Sequence, residues 1–133
     1  GLEADTNQSA VQIRVTKGGT ADSTSNYDEV SKQLKAYNTF TNDSDTNDTE
    51  WGFNTIGTPS GSAFNLTAYL FNFGNASEFS FYTFDNTTAD STTDFRGKQG
   101  GGVHTVASAS DGINFYYSAD NIEAGTFTLY VGA

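Results

Sequence analysis

Between Gln8 and Lys17 apolar and polar side chains alternate without a break: Val11, Ile13 and Val15 fall on one side, Gln12, Arg14 and Thr16 on the other. A period of two marks a half-buried strand, because successive side chains of an extended backbone point to opposite faces. The same pattern returns in Ile113, Phe115 and Tyr117, and again in Phe127, Leu129 and Val131. Segments of this kind need sheet partners. No alternation of strands with helices is present to build parallel crossovers, so the partners are expected to be antiparallel.

With 133 residues the chain has the length of one domain, taken as 1–133. Only 35% of it is hydrophobic, yet aromatics make up 14%, with 11 Phe and 7 Tyr. Large rings fill a core with few residues. The expected fold is all-β: an antiparallel β-sandwich, Ig-like or jelly-roll-like, of about seven strands with one short helix. Tyr27, Val30, Leu34 and Tyr37 fall at helical spacings, with Asn26 and Glu29 as a capping box and Asp28 and Lys32 as an i,i+4 pair, which predicts a helix over 27–37. Further strands are expected at Trp51 to Ile56, Glu78 to Phe84, Val103 to Ser108, Ile113 to Ser118 and Thr126 to Val131. Phe64 to Phe73 is apolar on both faces, which predicts a strand in the middle of a covered sheet, joined to its successor by a short hairpin loop. Thr41 to Glu50 has no apolar side chain and is expected to be an exposed loop. A turn at Thr58 to Gly61, a linker at Asp85 to Gly102 ending in the flexible bend Gly100 to Gly102, and a corner at Asn121 to Gly125 complete the expectation.

Six Lys and Arg stand against 16 Asp and Glu, a formal charge of −10. Such a field repels phosphate backbones and anionic headgroups, which excludes nucleic acid as a partner. No apolar run reaches the roughly 18 residues of a membrane helix, so no membrane insertion is expected. Cysteine is absent, which removes disulfides and thiolate metal sites. The sequence opens at Gly1 and contains no Met, as an exported chain would after loss of a signal peptide, and the expected location is extracellular or on the cell surface.

Little in the sequence is equipped for covalent chemistry. His104 is the only histidine and sits among strand-like residues, so triads and multi-histidine metal sites cannot be assembled. Most acids lie beside Ser, Thr and Asn in polar stretches where they stay solvated; Glu78 and Glu123, near expected strand ends, are the exceptions. Gly100 to Gly102 precedes a strand, so it lacks the helix N-terminus that lets a glycine loop hold phosphate. Asp43, Asp45 and Asn47 have the alternate spacing of a calcium loop, but Asp48 stands where the sharp-turn glycine belongs and Asn54 where the bidentate Glu belongs. Calcium there competes with an ordinary solvated loop. Asn7, Asn42, Asn47, Asn65, Asn75 and Asn86 each begin an Asn-x-Ser/Thr sequon, with Asn42, Asn47, Asn75 and Asn86 in expected loops as the best acceptors. A glycan at Asn42 or Asn47 would exclude calcium at the same place.

An alternating N-terminal strand ahead of an aromatic, cysteine-free sandwich, with a hairpin such as Leu70-Phe-Asn-Phe-Gly-Asn-Ala-Ser-Glu-Phe-Ser-Phe, resembles the secreted subunits of biofilm fibres and archaeal bundling pili, the TasA-like group. The resemblance covers the chain as an architecture and rests on no specific motif. It implies polymerisation by donor-strand complementation, with Leu2 to Val15 as donor, Val11, Ile13 and Val15 as plug residues, and copies of the same chain as partners. The alternative for this strand is pairing inside its own sheet. Three functions follow as expectations: a non-enzymatic filament or matrix subunit; a carbohydrate- or calcium-binding adhesion module using Trp51, Tyr69 or Tyr116 to stack on sugars; and, least supported, a carboxylate-dependent hydrolase.

Overall fold

The computed structural model describes residues 1–5, 9–55, 62–89, 94–119 and 121–132. Among them are eleven strands and no helix: β1 (Leu2–Ala4), β2 (Ala10–Lys17), β3 (Thr20–Ala21), β4 (Tyr27–Lys35), β5 (Thr41–Asp48), β6 (Trp51–Thr55), β7 (Asn65–Phe71), β8 (Ser80–Ala89), β9 (Phe95–His104), β10 (Gly112–Tyr117) and β11 (Ile122–Gly125). The turn expected at Thr58 to Gly61 and the end of its preceding strand lie outside the described residues.

All pairings are antiparallel. Five strands form one sheet in the order β5-β4-β9-β8-β7; a second holds β10-β2-β3, with β6 also on β2; the third is the pair β1-β11. Leu2 bridges Phe64, so β1 lies beside the start of β7. The arrangement is consistent with a β-sandwich. Its core is a stack of rings between the two larger sheets: Trp51 of β6 lies 5.1 Å from Tyr27 of β4 and 4.3 Å from Tyr82 of β8, and Phe53 lies 4.9 Å from Phe84. Edge-on and tilted contacts of this kind contribute beyond the area they bury. Val11, Ile13 and Val15 close the core from the β2 side.

Several expectations are corrected. Tyr27 to Lys35 is a strand, not a helix: Tyr27 and Glu29 are buried while Val30 is exposed, and the segment pairs with β5 on one side and β9 on the other. Two ladders of backbone hydrogen bonds outweigh a helical spacing that rests on weak propensities. Thr41–Asp48 is exposed as expected, but it is the edge strand β5 instead of a loop; charged, polar side chains are what protects an open edge. The expected middle strand, β7, is the opposite edge of that sheet, with Tyr69 and Phe71 exposed. Its connection to β8 runs from Asn72 to Phe79, longer than a short hairpin loop.

The expected linker is largely strand, β8 continuing to Ala89 and β9 beginning at Phe95. Gly100 to Gly102 is no flexible bend; it lies inside β9, clamped between β4 and β8. A Cβ on Gly102 would come within 2.5 Å of the Asp28 carbonyl oxygen and 2.6 Å of the Tyr82 ring, so glycine here lets Tyr82 and Trp51 approach the backbone closely. Regular pairing in β9 stops at His104 instead of reaching Ser108. At the C-terminus the order is reversed: the corner at 121–125 contains β11, and Thr126 to Val131, expected to be a strand, is irregular.

Candidate assembly site

The three alternating aliphatics are spent inside their own chain. Val11, Ile13 and Val15 are 1%, 1% and 0% exposed, and β2 pairs with β10 from Val11 to Thr16 and with β6 on its other side. Leu2 exchanges two backbone hydrogen bonds with Phe64, at 2.7 and 2.9 Å, and pairs with Gly125. The segment offered as donor, Leu2 to Val15, therefore has partners within the same copy wherever it is described.

The open flank of the molecule lies elsewhere. Among the described residues β7 pairs only with β8, and β10 only with β2, so each has one edge with no paired strand. Between them runs a groove of about 910 Å³, walled by Leu66, Ala68 and Leu70 on one side and Ile113 and Phe115 on the other. The period of two explains the walls: odd-numbered residues of β7 face out and even-numbered ones face in, so Leu66 and Ala68 pack on the core's margin while Tyr69 is left outside. Gly1 and Leu2 border the groove, and Thr126 to Leu129 lies along its mouth, with Phe127 packed 5.0 Å from Phe115. Beyond Phe127 the tail is bare: Leu129, Tyr130 and Val131 are 78%, 89% and 86% exposed. A second apolar surface, formed by Phe71, Phe79 and Phe81 where β7 meets β8, is also exposed.

The buried charges lie away from this groove. Lys98 of β9 donates to Glu29 Oε1 at 3.1 Å and to the Gly52 carbonyl at 3.0 Å, and sits 3.1 Å from Asp43 Oδ2. Glu29 Oε2 accepts from Tyr82 Oη and from the Gly52 N–H, both at 3.0 Å. Burial pushes the Glu29 carboxyl above its ordinary range against the opposing pull of Lys98. Burial also acts to raise Asp43, but the hydrogen bond and charge of Lys98 prevail and lower it. Every strong donor of the ammonium has an acceptor, and the cluster joins β4, β5 and β9 of one sheet to β6 of the other. Its chemistry is that of an inter-sheet clamp. The sequence hides it because helical spacing places Glu29 in a helix and polar composition places Lys98 in a linker; what signal there is lies in Lys98, Gly100, Gly102 and His104 sharing one face at a period of two.

His104 is fully buried, against Tyr27 at 4.8 Å between ring centroids. Nε2 lies 3.4 Å from Asp22 Oδ2, longer than a good hydrogen bond. Burial and then the nearby Lys17 charge lower its pKa. Burial alone would raise Asp22, but hydrogen bonds from the Thr24 hydroxyl and N–H and from Lys17 hold it at about 2. Glu78 and Glu123, singled out in sequence, are both exposed.

The remaining candidates are scattered. Asp43 and Asp45 are alternate residues of β5, about 6.6 Å apart, while Asn47 sits at a bulge with a φ of 57°, its N–H donating to Asp28 Oδ1. Among the described residues no three His, Cys, Asp or Glu side chains gather in a metal-holding group. Asn42, Asn47 and Asn65 are exposed and Asn75 is partly so, its side-chain oxygen accepting from the Ser77 N–H. Asn86, expected in a loop, is buried on the inner face of β8 and is corrected as an acceptor, since a folded chain cannot present it; Asn7 lies outside the described residues. Trp51 is fully buried in the core, which removes it as a sugar platform; Tyr116 lies under the Arg14 guanidinium at 4.8 Å, and Tyr69 is exposed. No family model matches the chain, and comparison with characterised proteins and with solved structures finds no match.

Proposed function

We propose that this chain is a non-enzymatic structural subunit of an extracellular filament or surface matrix, an Ig-like or jelly-roll-like sandwich whose copies join by β-strand addition. The observation that carries the proposal is the free edge of β7 beside an apolar groove. Unpaired N–H and C=O groups template another strand, while the groove accepts alternate side chains of the incoming segment. The opposite edge of the same sheet, β5, carries Asp43, Asp45 and Asp48 and no apolar side chain, so association is directed to one side.

The charge of −10 opposes contact between copies at low salt and is screened as salt rises, which suits a protein that must stay soluble before assembly. Exposed Asn42 and Asn47, on β5 and away from the β7 edge, are the positions for glycan in this role. Electron microscopy together with light scattering across a salt series tests the proposal. Ordered assemblies that grow with salt are expected; particles of a single copy at every salt and protein concentration overturn it.

A further inference from the structure

Of the Lys and Arg side chains only Lys98 is buried. In the ladder between β9 and β4 it stands opposite Gln33, while Glu29 stands opposite Gly102, two inward positions further along. The inward position between them on β9 is Gly100, set against Ser31 of β4. No large side chain stands in the way, so the ammonium reaches Glu29 and, across β4, Asp43 of the edge strand β5. Its three protons meet three acceptors: Glu29 Oε1 at 3.1 Å, Asp43 Oδ2 at 3.1 Å and the Gly52 carbonyl at 3.0 Å. The two oxygens of Glu29 divide their contacts. Oε1 faces Nζ, and Oε2 accepts from Tyr82 Oη and from the Gly52 N–H.

The side chains of Lys98 and Glu29 are 4% and 6% exposed, so water does little to stabilise their charges. A proton passed from Nζ to Oε1 leaves a neutral amine against a neutral carboxylic acid, the two forms that condense to an amide. Burial favours that transfer and is what holds the Glu29 carboxyl above its ordinary range. Asp43 is of the opposite character. Its side chain is 38% exposed, and although burial pulls it the same way, the hydrogen bond and charge of Lys98 outweigh burial and hold its carboxyl low. Two carboxyls pushed apart by their surroundings divide the acid and base roles between them. Held contact replaces chance encounter, and the exclusion of water removes the competitor that would reverse a condensation.

We propose that Lys98 and Glu29 join in an intramolecular amide formed by the folded chain itself, with Asp43 as the proton carrier. The Nζ–Cδ bond forms, the Cδ–Oε1 bond breaks and one water leaves. Of the three ammonium protons, one crosses directly to Oε1, a second is carried by Asp43 Oδ2 to the same oxygen as it departs, and the third stays on the amide nitrogen toward the Gly52 carbonyl. Negative charge developing on Oε2 during the attack falls on the Tyr82 hydroxyl and the Gly52 N–H, both already aimed at it. Asp43 ends as it began, and its exposed side gives the water a way out. The bond ties β9 to β4 across 69 residues of intervening chain in a protein without cysteine, and restricts the unfolded chain as a disulfide would. In the linked chain Glu29 no longer titrates; its ion pair and its pH dependence belong to the unlinked chain. The bond is internal to one copy and does not depend on assembly.

Intact-mass spectrometry of the full chain, folded, incubated and then denatured, tests the proposal. The chain is expected to be lighter than its sequence by one water, and protease digestion is expected to yield a branched peptide joining residue 29 to residue 98. Lys98→Arg and Asp43→Asn, with folding checked by circular dichroism, are expected to keep the full mass of their sequences. A wild-type chain that stays at full mass overturns the bond. So does a missing water that maps elsewhere, as at Asp111-Gly112, where an aspartyl side chain can close on the following N–H. A branch between residues 43 and 98 overturns the division of roles between the two carboxyls, and Asp43→Asn that loses water as completely as the wild type overturns the role of Asp43. Copies that carry the bond yet never associate sink assembly and leave the bond standing.

Discussion

β2 and the tail at 126–131 carry nearly the same message in sequence and meet opposite fates. Both alternate three large apolar residues with polar or smaller ones. In β2 the apolar set is sealed under Tyr27 and Trp51, and the backbone pairs with β10 and β6. In the tail the apolar set is exposed and the backbone has no ladder. Alternation states that a segment is competent to be a strand. Whether it becomes one depends on a free edge lying within reach, because an isolated strand satisfies none of its own hydrogen bonds.

The largest expected effect breaks the clamp that holds the β2 sheet against the opposite one. Lys98→Met leaves Glu29 buried with no cation and is expected to lose about 3–5 kcal/mol in urea unfolding. Adding Glu29→Gln to it should recover part of that loss, since the uncompensated charge is then gone. Full recovery is not expected, because Asp43 and the Gly52 carbonyl lose the same ammonium.

Truncating β2 itself comes next. Ile13→Ala removes a side chain that is 1% exposed and leaves a cavity beneath the rings, for an expected loss of about 2–5 kcal/mol by the same measurement. A loss below about 1 kcal/mol would mean that the core collapses onto the gap and that β2 is no more committed to its place than the tail.

Acid sharpens the comparison at the far end of β2. There Tyr27 Oη donates to the Asp22 carbonyl and accepts from the Val15 N–H, and Lys17 donates to the Asp22 carboxylate at 3.0 Å. The His104 pKa is lowered in the folded state, so the unfolded chain takes up the proton first and stability falls as pH drops below 6.5. Asp22, held at about 2 against an ordinary 3.8, contributes stability that is complete above 3.8 and disappears as pH falls through 2. Glu29 acts oppositely: with its pKa raised, stability declines as pH rises past 4.5. Urea midpoints measured against pH should therefore fall below 6.5 and again below 4. Asp22→Asn should flatten the second fall; an unchanged curve would place the acid sensitivity elsewhere.

The all-β character was legible in sequence because Val11, Ile13, Val15 and Ile113, Phe115, Tyr117 repeat at two and no helix–strand rhythm intervenes. The edges were not. Thr41–Asp48 has no apolar residue to show a period, and as an edge strand it needs none. Phe64 to Phe73 is apolar on both faces, which a covered central strand shares with an edge exposed for association. Val30 and Leu34 fall at the helical spacing that predicts a helix over 27–37, while the inward face of the strand actually formed holds Glu29, a charged residue that becomes legible only with Lys98 beside it. The groove was invisible for a further reason: it is made by two strands far apart in sequence, and only the topology brings β7 beside the tail.

The smallest expected effect on folding is the most informative about the tail. Leu129→Ala removes a side chain that is 78% exposed and, in a dilute single copy, should change unfolding free energy by no more than about 0.5 kcal/mol. Ile13→Ala in β2 should cost several times more, though both residues occupy the middle of an alternating run. If Leu129→Ala destabilises the single copy as strongly as Ile13→Ala, the tail is packed in its own fold and the two regions do not differ as described.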